Sequence, residues 1–299
     1  MGKASRRSRG SARELNQGEA GARPAPFVAR PFEGLTAETE WVALREILPA
    51  ATATVQLRPS AVGAGAPTTA TIATVLPLAW PGLHRADGQV LVATQSGSTT
   101  GDASRDIAQV LLTTLAAEPG SPVLATPLAT AQTPRLQDVL DPAAPFDVTV
   151  HDGFEFWVDD VAELDDEGKA SLERANSAAV PTSRVAGVDS AYWCRIGERT
   201  HIRWVLPQDE DVATDALARL HAAHESGLGE GTRLLGAFRA CGLLVPVWDL
   251  DPDSSAADHE GAAAAWQKRY DEAVATSAAL SGDERRARAG LLSRQVTLR

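Results

Sequence analysis

The stretch LGEGTRLLGAFRACGLLVPVWDL, residues 228–250, is the most apolar and most clearly punctuated part of the chain. Four of its residues recur at i, i+1, i+4 and i+7, the spacing of one helical face. These residues are Leu234, Leu235, Phe238 and Cys241. Gly242 follows at the position where a left-handed residue often ends a helix. The pattern predicts a buried helix that leads into a short apolar strand over residues 243–248.

Pro246 lies inside that predicted strand. Because proline has no N–H to donate to a ladder, we expect the strand to lie at a sheet edge or at a bulge. Residues 228–250 contain no nucleophile beside a base, no metal-ligand spacing and no phosphate-binding loop. The stretch therefore indicates a structural core and contains no pattern typical of a catalytic or binding site.

Composition predicts a globular protein of one large domain or two of moderate size. The chain has 299 residues, is 44% hydrophobic and has a mean hydropathy of -0.14. No apolar run reaches the ~18 residues of a membrane span, and no apolar segment follows the first basic residues. We expect a cytoplasmic location, no membrane partner, and two cysteines that are small core residues and not a disulfide.

The formal charge of -11 is unevenly distributed, because five basic residues precede the first acid, Glu14, and the rest of the chain therefore carries -16. The five are Lys3, Arg6, Arg7, Arg9 and Arg13. Residues 1–25 are rich in Arg, Ser, Gly and Ala without hydrophobic periodicity, which predicts a disordered basic arm. Such an arm attracts nucleic acid, whereas an acidic body repels it.

Hydrophobic periodicity predicts an α+β fold, with antiparallel hairpins, packed helices and a helical C-terminus. We expect a first α+β half over residues 26–145, a second over 146–250 and a helical segment over 251–299. Residues 118–145, dense in Pro, Ala and Thr, are the predicted joint between the halves. Each half contains a hairpin followed by a helix with acidic residues at its start, so an internal repeat of strand-strand-helix units is a hypothesis.

Within these segments, we expect helices at residues 39–48, 102–117, 165–178, 263–279 and 281–292, and another beginning at 209–211. Asp102 is the predicted N-cap or first-turn acid of the second, and Ser281 with Glu284 has the spacing of a capping box. Strands are expected at 52–57, 69–78, 89–94 and 146–158, in a hairpin at 192–196 and 201–206, and as an edge strand at 295–299.

An acidic run after the predicted strand has the spacing of a calcium loop. Asp249, Asp251, Asp253 and Glu260 occupy positions one, three, five and twelve. Ser254 replaces the glycine of such loops and Pro252 stiffens the turn, so a solvated acidic connector is the alternative. The sequence predicts no other cofactor.

The seven tryptophans are expected to fill the core, because no basic residues are interleaved with them in a patch. Three arginines do flank two tryptophans on the second predicted hairpin: Arg195, Arg199 and Arg203 lie around Trp193 and Trp204. This hairpin is the candidate functional surface in the body of the protein.

Three stretches carry a resemblance to a known family: ARPFEGLTAETEWVALREILPAATATVQL at residues 29–57, GTRLLGAFRACGLLVPVWDL at 231–250 and RRARAGLLSRQVTLR at 285–299. With these, the chain resembles an uncharacterised actinobacterial protein family, many members of which begin with a Cys-rich, zinc-binding SEC-C motif. Here no cysteine precedes Cys194, so the resemblance assigns no zinc ligand. It implies an intracellular role but no activity.

These observations favour a non-enzymatic cytoplasmic adaptor or accessory protein, whose basic arm contacts an anionic partner such as ribosomal RNA; a protein partner is a further expectation. The alternative is a carboxylate- or metal-dependent enzyme with its site near Asp249, Asp251 and Asp253, because acids beyond the end of a strand often form α/β sites.

Overall fold

The computed structural model describes residues 23–63, 65–95 and 99–293. The five basic residues of the predicted arm and the edge strand predicted at 295–299 lie outside these ranges.

The described residues form helices and strands in the proportions of an α+β protein, which confirms the predicted class. The helices are α1 (Glu38–Glu46), α2 (Ala103–Leu115), α3 (Leu136–Val139), α4 (Asp166–Ala178), α5 (Glu210–Ala222), α6 (Glu260–Ala275) and α7 (Gly282–Ser293). The strands are β1 (Ala51–Gln56), β2 (Thr69–Ala73), β3 (Gly82–His84), β4 (Val90–Ala93), β5 (Ser121–Val123), β6 (Val148–Val150), β7 (Thr182–Arg184), β8 (Ala191–Ile196), β9 (Arg199–Trp204), β10 (Arg233–Ala240) and β11 (Leu243–Asp249).

The strands form two sheets. The first has the order β5-β3-β4-β2-β1-β6 and is antiparallel except for the β2–β4 pair. The second has the order β10-β11-β9-β8-β7 and is antiparallel throughout. The β8–β9 hairpin confirms the hairpin expected from the sequence. The hairpin expected in the first half is wrong, because the runs at 69–78 and 89–94 pair in parallel as β2 and β4, and β3 lies between them in the chain.

Two helix starts follow from the sequence as predicted. The Asp102 carboxylate accepts the backbone N–H groups of Ser104 and Arg105, which caps α2. Ser281 and Glu284 exchange two bonds before α7, one of 2.6 Å from the Ser281 N–H and one of 3.3 Å from the Glu284 N–H. This is the reciprocal geometry of a capping box.

The helix predicted before Gly242 is wrong, because residues 233–240 form strand β10. Cys241 and Gly242 have φ values of 45° and 84° and join β10 to β11 as a two-residue hairpin turn. A positive φ at both positions is the requirement of a type I′ turn, so Gly242 serves a hairpin and not a helix end. Periodicity in so short an apolar run does not separate helix from strand.

Pro246 lies on an interior strand, β11, where we expected an edge or a bulge. The ladder with β9 covers only residues 247–249 of β11, so Pro246 lies just outside it. On the other side, β10 has a register shift between Leu234 and Gly236, next to the Ala237–Pro246 pair. The strand therefore accommodates proline in its interior beside a bulge.

Both faces of the second sheet are buried, each in a different core. Phe238 and Val245 belong to the first core, which also holds the apolar faces of α1, β1, β2 and α2. Trp248 belongs to the second core, under α5, α6 and α7, where its indole lies 5.0 Å from the Trp266 ring. Alternation along the strands sends neighbouring side chains to opposite faces. Phe238 and Trp248 are thus both buried but do not share a core.

The first core draws on residues from both predicted halves. Tyr192, Phe238 and Val247 lie in it beside Trp41 of α1. Strand β6, which follows the predicted joint, pairs with β1 in the first sheet. The second sheet is therefore a shared wall between the two cores.

Candidate functional site

One face of strand β9 carries two of the three arginines predicted from the sequence, Arg199 and Arg203. Thr200, Ile202 and Trp204 are buried, and the latter two lie in the second core. Because side chains alternate along a strand, Arg199, His201 and Arg203 lie on the opposite face, and their burial alternates accordingly. We call these three residues the β9 basic stripe.

A polar row crosses the second sheet at His201. Cys194 of β8 lies opposite His201 in register, and Asp249 of β11 lies opposite it on the other side. The Asp249 carboxylate is 3.7 Å from His201 Nδ1 and 3.5 Å from the guanidinium of Arg233. The structure thus places Asp249, proposed for metal binding, beside the basic stripe.

Nε of Arg203 is buried without a hydrogen-bond partner in the described part of the chain, and Nδ1 of His201 is buried 3.7 Å from the Asp249 carboxylate. Burial lowers the pKa of His201, Arg203 and Arg199 add to that effect, and Asp249 and a backbone hydrogen bond at Trp248 oppose it. The imidazole is therefore neutral near pH 7. Buried polar atoms without partners are uncommon in folded proteins, and each calls for an explanation.

The three hairpin arginines have no carboxylate within 4 Å among residues 23–63, 65–95 and 99–293. Arg195 lies over the Trp193 ring, 5.6 Å from its centroid, on the face opposite the stripe. Several arginines elsewhere pair with carboxylates, such as Arg30 with Glu38 and Arg288 with Asp215, whereas Arg58, Arg174 and Arg269 form no such pair among the described residues. Unpaired arginines in an acidic chain leave charge free for a ligand.

The other acidic residues of the candidate metal loop do not converge. Asp251 and Asp253 are exposed, and the Asp251 carboxylate accepts the backbone N–H of Asp253 at 2.9 Å. Glu260 begins α6. Within the residues that the structure describes, no group of three or more His, Cys, Asp or Glu side chains is arranged to hold a metal ion.

Both cysteines are free thiols. Burial raises the pKa of Cys194, and burial together with Glu46 raises the pKa of Cys241 to about 12. The Cys241 Sγ–H donates to Glu46 Oε1 at 3.5 Å. Both groups are therefore protonated near pH 7, and the Cys194–His201–Asp249 row has no thiolate nucleophile.

A buried carboxylate on α1 was missed by the sequence analysis. Glu40, 7% exposed, accepts hydrogen bonds from Arg184, Ser190 and Tyr192. It lines a cleft of about 330 Å³ together with the exposed Asp147 and other residues. The signal was an acid spaced i, i+4 and i+7 with Leu44 and Ile47, on the apolar face of the predicted helix.

Comparison with known proteins places the chain in a family. It belongs to the family of unknown function DUF5926, whose sequence model matches residues 31–299. This match confirms the resemblance to an uncharacterised family. No curated protein and no solved structure matches the chain. Among the described helices, none has the length and apolar character needed to cross a membrane.

Proposed function

We propose that this protein is a non-enzymatic cytoplasmic adaptor or accessory protein that contacts an anionic partner, such as ribosomal RNA. Its contacts are the basic arm and, in the body, the hairpin arginines Arg195, Arg199 and Arg203. The observation that carries the proposal is the presence of three arginines without a carboxylate partner, among the described residues, on one hairpin of a chain with net charge -11. Two free cysteines fit a reducing compartment.

The electrostatics of the two elements support a combined contact. Lys and Arg side chains that neutralise phosphates release condensed counterions, which favours binding at low salt. The acidic remainder of the chain opposes any contact outside the basic elements. Binding is therefore expected to be local, and strongly weakened by added salt.

Salt dependence gives the proposal a quantitative form. For single-stranded RNA, the logarithm of the affinity falls with the logarithm of salt concentration at a slope of about -0.7 per neutralised phosphate. The five arm contacts alone predict a slope of about -3.5, and each hairpin arginine in the contact makes the slope steeper by about 0.7.

Co-sedimentation with ribosomes at low salt tests the proposal. The full chain is compared with a chain lacking residues 1–25 and with one in which the five basic residues of the arm are replaced by Gln. We expect both changes to reduce pelleting at least about tenfold. Equal pelleting of all three proteins contradicts the arm as the contact.

A second candidate function is a carboxylate- or metal-dependent enzyme with its site near Asp249, Asp251 and Asp253. One observation favours it: Asp249 lies 3.7 Å from His201 at the end of β11. Metal titration with thermal melting tests it, because a site in the native state alone adds ~2.7 kcal/mol of stability at a hundredfold excess over the dissociation constant. A flat titration with Ca²⁺, Mg²⁺ and Mn²⁺ contradicts it.

A further inference from the structure

Arg199 and Arg203 lie on either side of His201 on one face of β9. Residues two apart in a strand are about 6.6 Å apart, so Arg199 and Arg203 are separated by about 13 Å, with His201 midway. Both arginines lower the pKa of His201, because their positive charges oppose protonation of the ring. Two long side chains that extend from either side of one ring can converge on a ligand above it.

An unpartnered nitrogen of the stripe favours a ligand at this face. Nε of Arg203 is shielded from water and has no acceptor in the described part of the chain, whereas Nδ1 of His201 lies 3.7 Å from the Asp249 carboxylate. A buried guanidinium N–H loses its hydration without regaining a bond, unless an acceptor is supplied. An oxyanion is such an acceptor, because its oxygens match the planar donors of arginine.

The charges around the stripe favour an anion. Arg199 is exposed and Arg203 is half-buried, so one end of the stripe is open to solvent. The carboxylate in the neighbouring register is Asp249, and it faces Arg233 as well as His201. Asp249 thus contacts Arg233 and His201 but neither Arg199 nor Arg203, so no ion pair among the described residues neutralises these two arginines.

We infer that Arg199 and Arg203 form a subsite for one phosphate-type oxyanion, with the His201 ring beneath it. The inference rests on the proposed function, since it names the chemistry by which the hairpin would recognise an RNA backbone. Free inorganic phosphate shares that chemistry, so the experiment must separate the two sources. Neither source requires a covalent step.

The His201 ring is the reporter for the test. Protein with ¹⁵N-labelled histidine is titrated with sodium phosphate, and separately with sodium chloride at equal ionic strength; a His201→Gln variant assigns the ring signals. We expect a saturable shift of the His201 nitrogens with phosphate alone, at a dissociation constant of about 1 to 10 mM. Arg203→Gln and Arg199→Gln should each weaken phosphate binding at least fivefold.

Arg174→Gln is the matched control, because it removes the same charge from α4. It should leave the titration unchanged. Arg199 is exposed, so its replacement tests the subsite even if Arg203→Gln destabilises the fold. The subsite is contradicted if phosphate causes no shift of the His201 signals, or if chloride causes an equal shift. It is also contradicted if the phosphate titration is unchanged in both arginine variants.

A final experiment distinguishes failure of the subsite from failure of the proposed function. A uridine decamer is added to phosphate-loaded protein in which the five basic residues of the arm are replaced by Gln. Displacement of phosphate, with loss of decamer binding in Arg199→Gln, supports an RNA backbone as the source. Saturable phosphate binding without competition by the decamer supports the subsite for free phosphate and contradicts RNA contact through the hairpin.

Discussion

Glu40 of α1 and Arg184 of β7, 144 residues apart in sequence, are joined by two hydrogen bonds of 2.9 Å, one to each carboxylate oxygen. The Tyr192 hydroxyl donates to the same carboxylate, and Ser190 donates to it at 2.7 Å. This arrangement fully satisfies a buried charge and connects α1 to the second sheet. Burial, followed by the Glu40 charge, raises the pKa of Tyr192, so the phenol remains a donor.

Replacement of Glu40 should destabilise the fold without creating a cavity. In Glu40→Gln the neutral amide cannot form an ion pair with Arg184. It also has one acceptor oxygen instead of two, so the donors Arg184, Ser190 and Tyr192 cannot all be satisfied. Removal of one partner from a buried pair costs about 3 to 5 kcal/mol, and since the Arg184 side chain is 34% exposed we expect about 2 to 4 kcal/mol. Urea unfolding measures the difference.

The control for that measurement is Asp147→Asn, on the same cleft. Asp147 is exposed, and surface substitutions of this kind change stability by less than about 0.5 kcal/mol. If Glu40→Gln is no more destabilising than Asp147→Asn, the hydrogen bonds of Glu40 do not contribute to the stability of the fold.

The two faces of the second sheet should respond independently to substitution. Phe238→Ala removes a ring from the first core and should cost ~3 to 5 kcal/mol, out of a typical total of ~5 to 15. Trp248→Phe removes part of a ring from the second core. Denaturant unfolding of both single variants and the double variant should give costs that add to within about 0.5 kcal/mol. A coupling above about 1 kcal/mol would mean that the cores are not separate.

Gly242→Ala should be more damaging than Gly231→Ala, although both glycines have a positive φ, 84° and 75°. A Cβ on Gly242 would lie 2.5 Å from the Ala29 carbonyl oxygen and 3.0 Å from the Arg30 Cα, whereas a Cβ on Gly231 would meet nothing within 4 Å. We expect about 1 kcal/mol of backbone strain at Gly231 and at least about 2 to 3 at Gly242. Equal midpoints in thermal melting would show that residues 29 and 30 move aside freely.

The cysteines should make stability fall with rising pH. Cys241 has a pKa of about 12 in the folded protein, against about 8.5 in the unfolded chain. Its contribution is complete below pH 8.5 and is lost as pH rises toward 12, with a slope that approaches about 1.4 kcal/mol per pH unit. Unfolding by urea from pH 8.5 to 10 measures it. Cys241→Ser should flatten the dependence by about that slope, leaving the smaller part from Cys194.

Helices and strands with a clear hydrophobic periodicity, or with a recognisable capping residue at one end, could be predicted from the sequence. Helix α2 has an apolar stripe and an N-cap at Asp102, and α7 has its capping box. The β8–β9 hairpin has alternation and a glycine at its turn. In each case the information lies within a few residues of the element, so local chemistry was sufficient.

The prediction of a helix over residues 233–240 was wrong, because the apolar residues there match helical spacing by chance. Burial on both faces makes β10 apolar at consecutive positions, so no alternation marks it as a strand. The partnership of Glu40 with Arg184 was equally hidden, since a buried ion pair depends on a contact between distant residues. The sequence indicated only that basic residues cluster on the hairpin that contains β9. It could not show that Asp249 lies beside His201, because that neighbourhood depends on the pairing of β9 with β11.

The shared wall between the two cores has a consequence during synthesis. The apolar faces of α1 and β1 are complete by residue 56, but the residues that cover them on β10 and β11 lie at positions 238–247. A ribosome adds about 5 to 20 residues per second, so roughly 10 to 40 s pass before that covering sheet exists. During this interval the part of the first core that β10 and β11 cover is exposed in the nascent chain, so a chaperone has time to act on it.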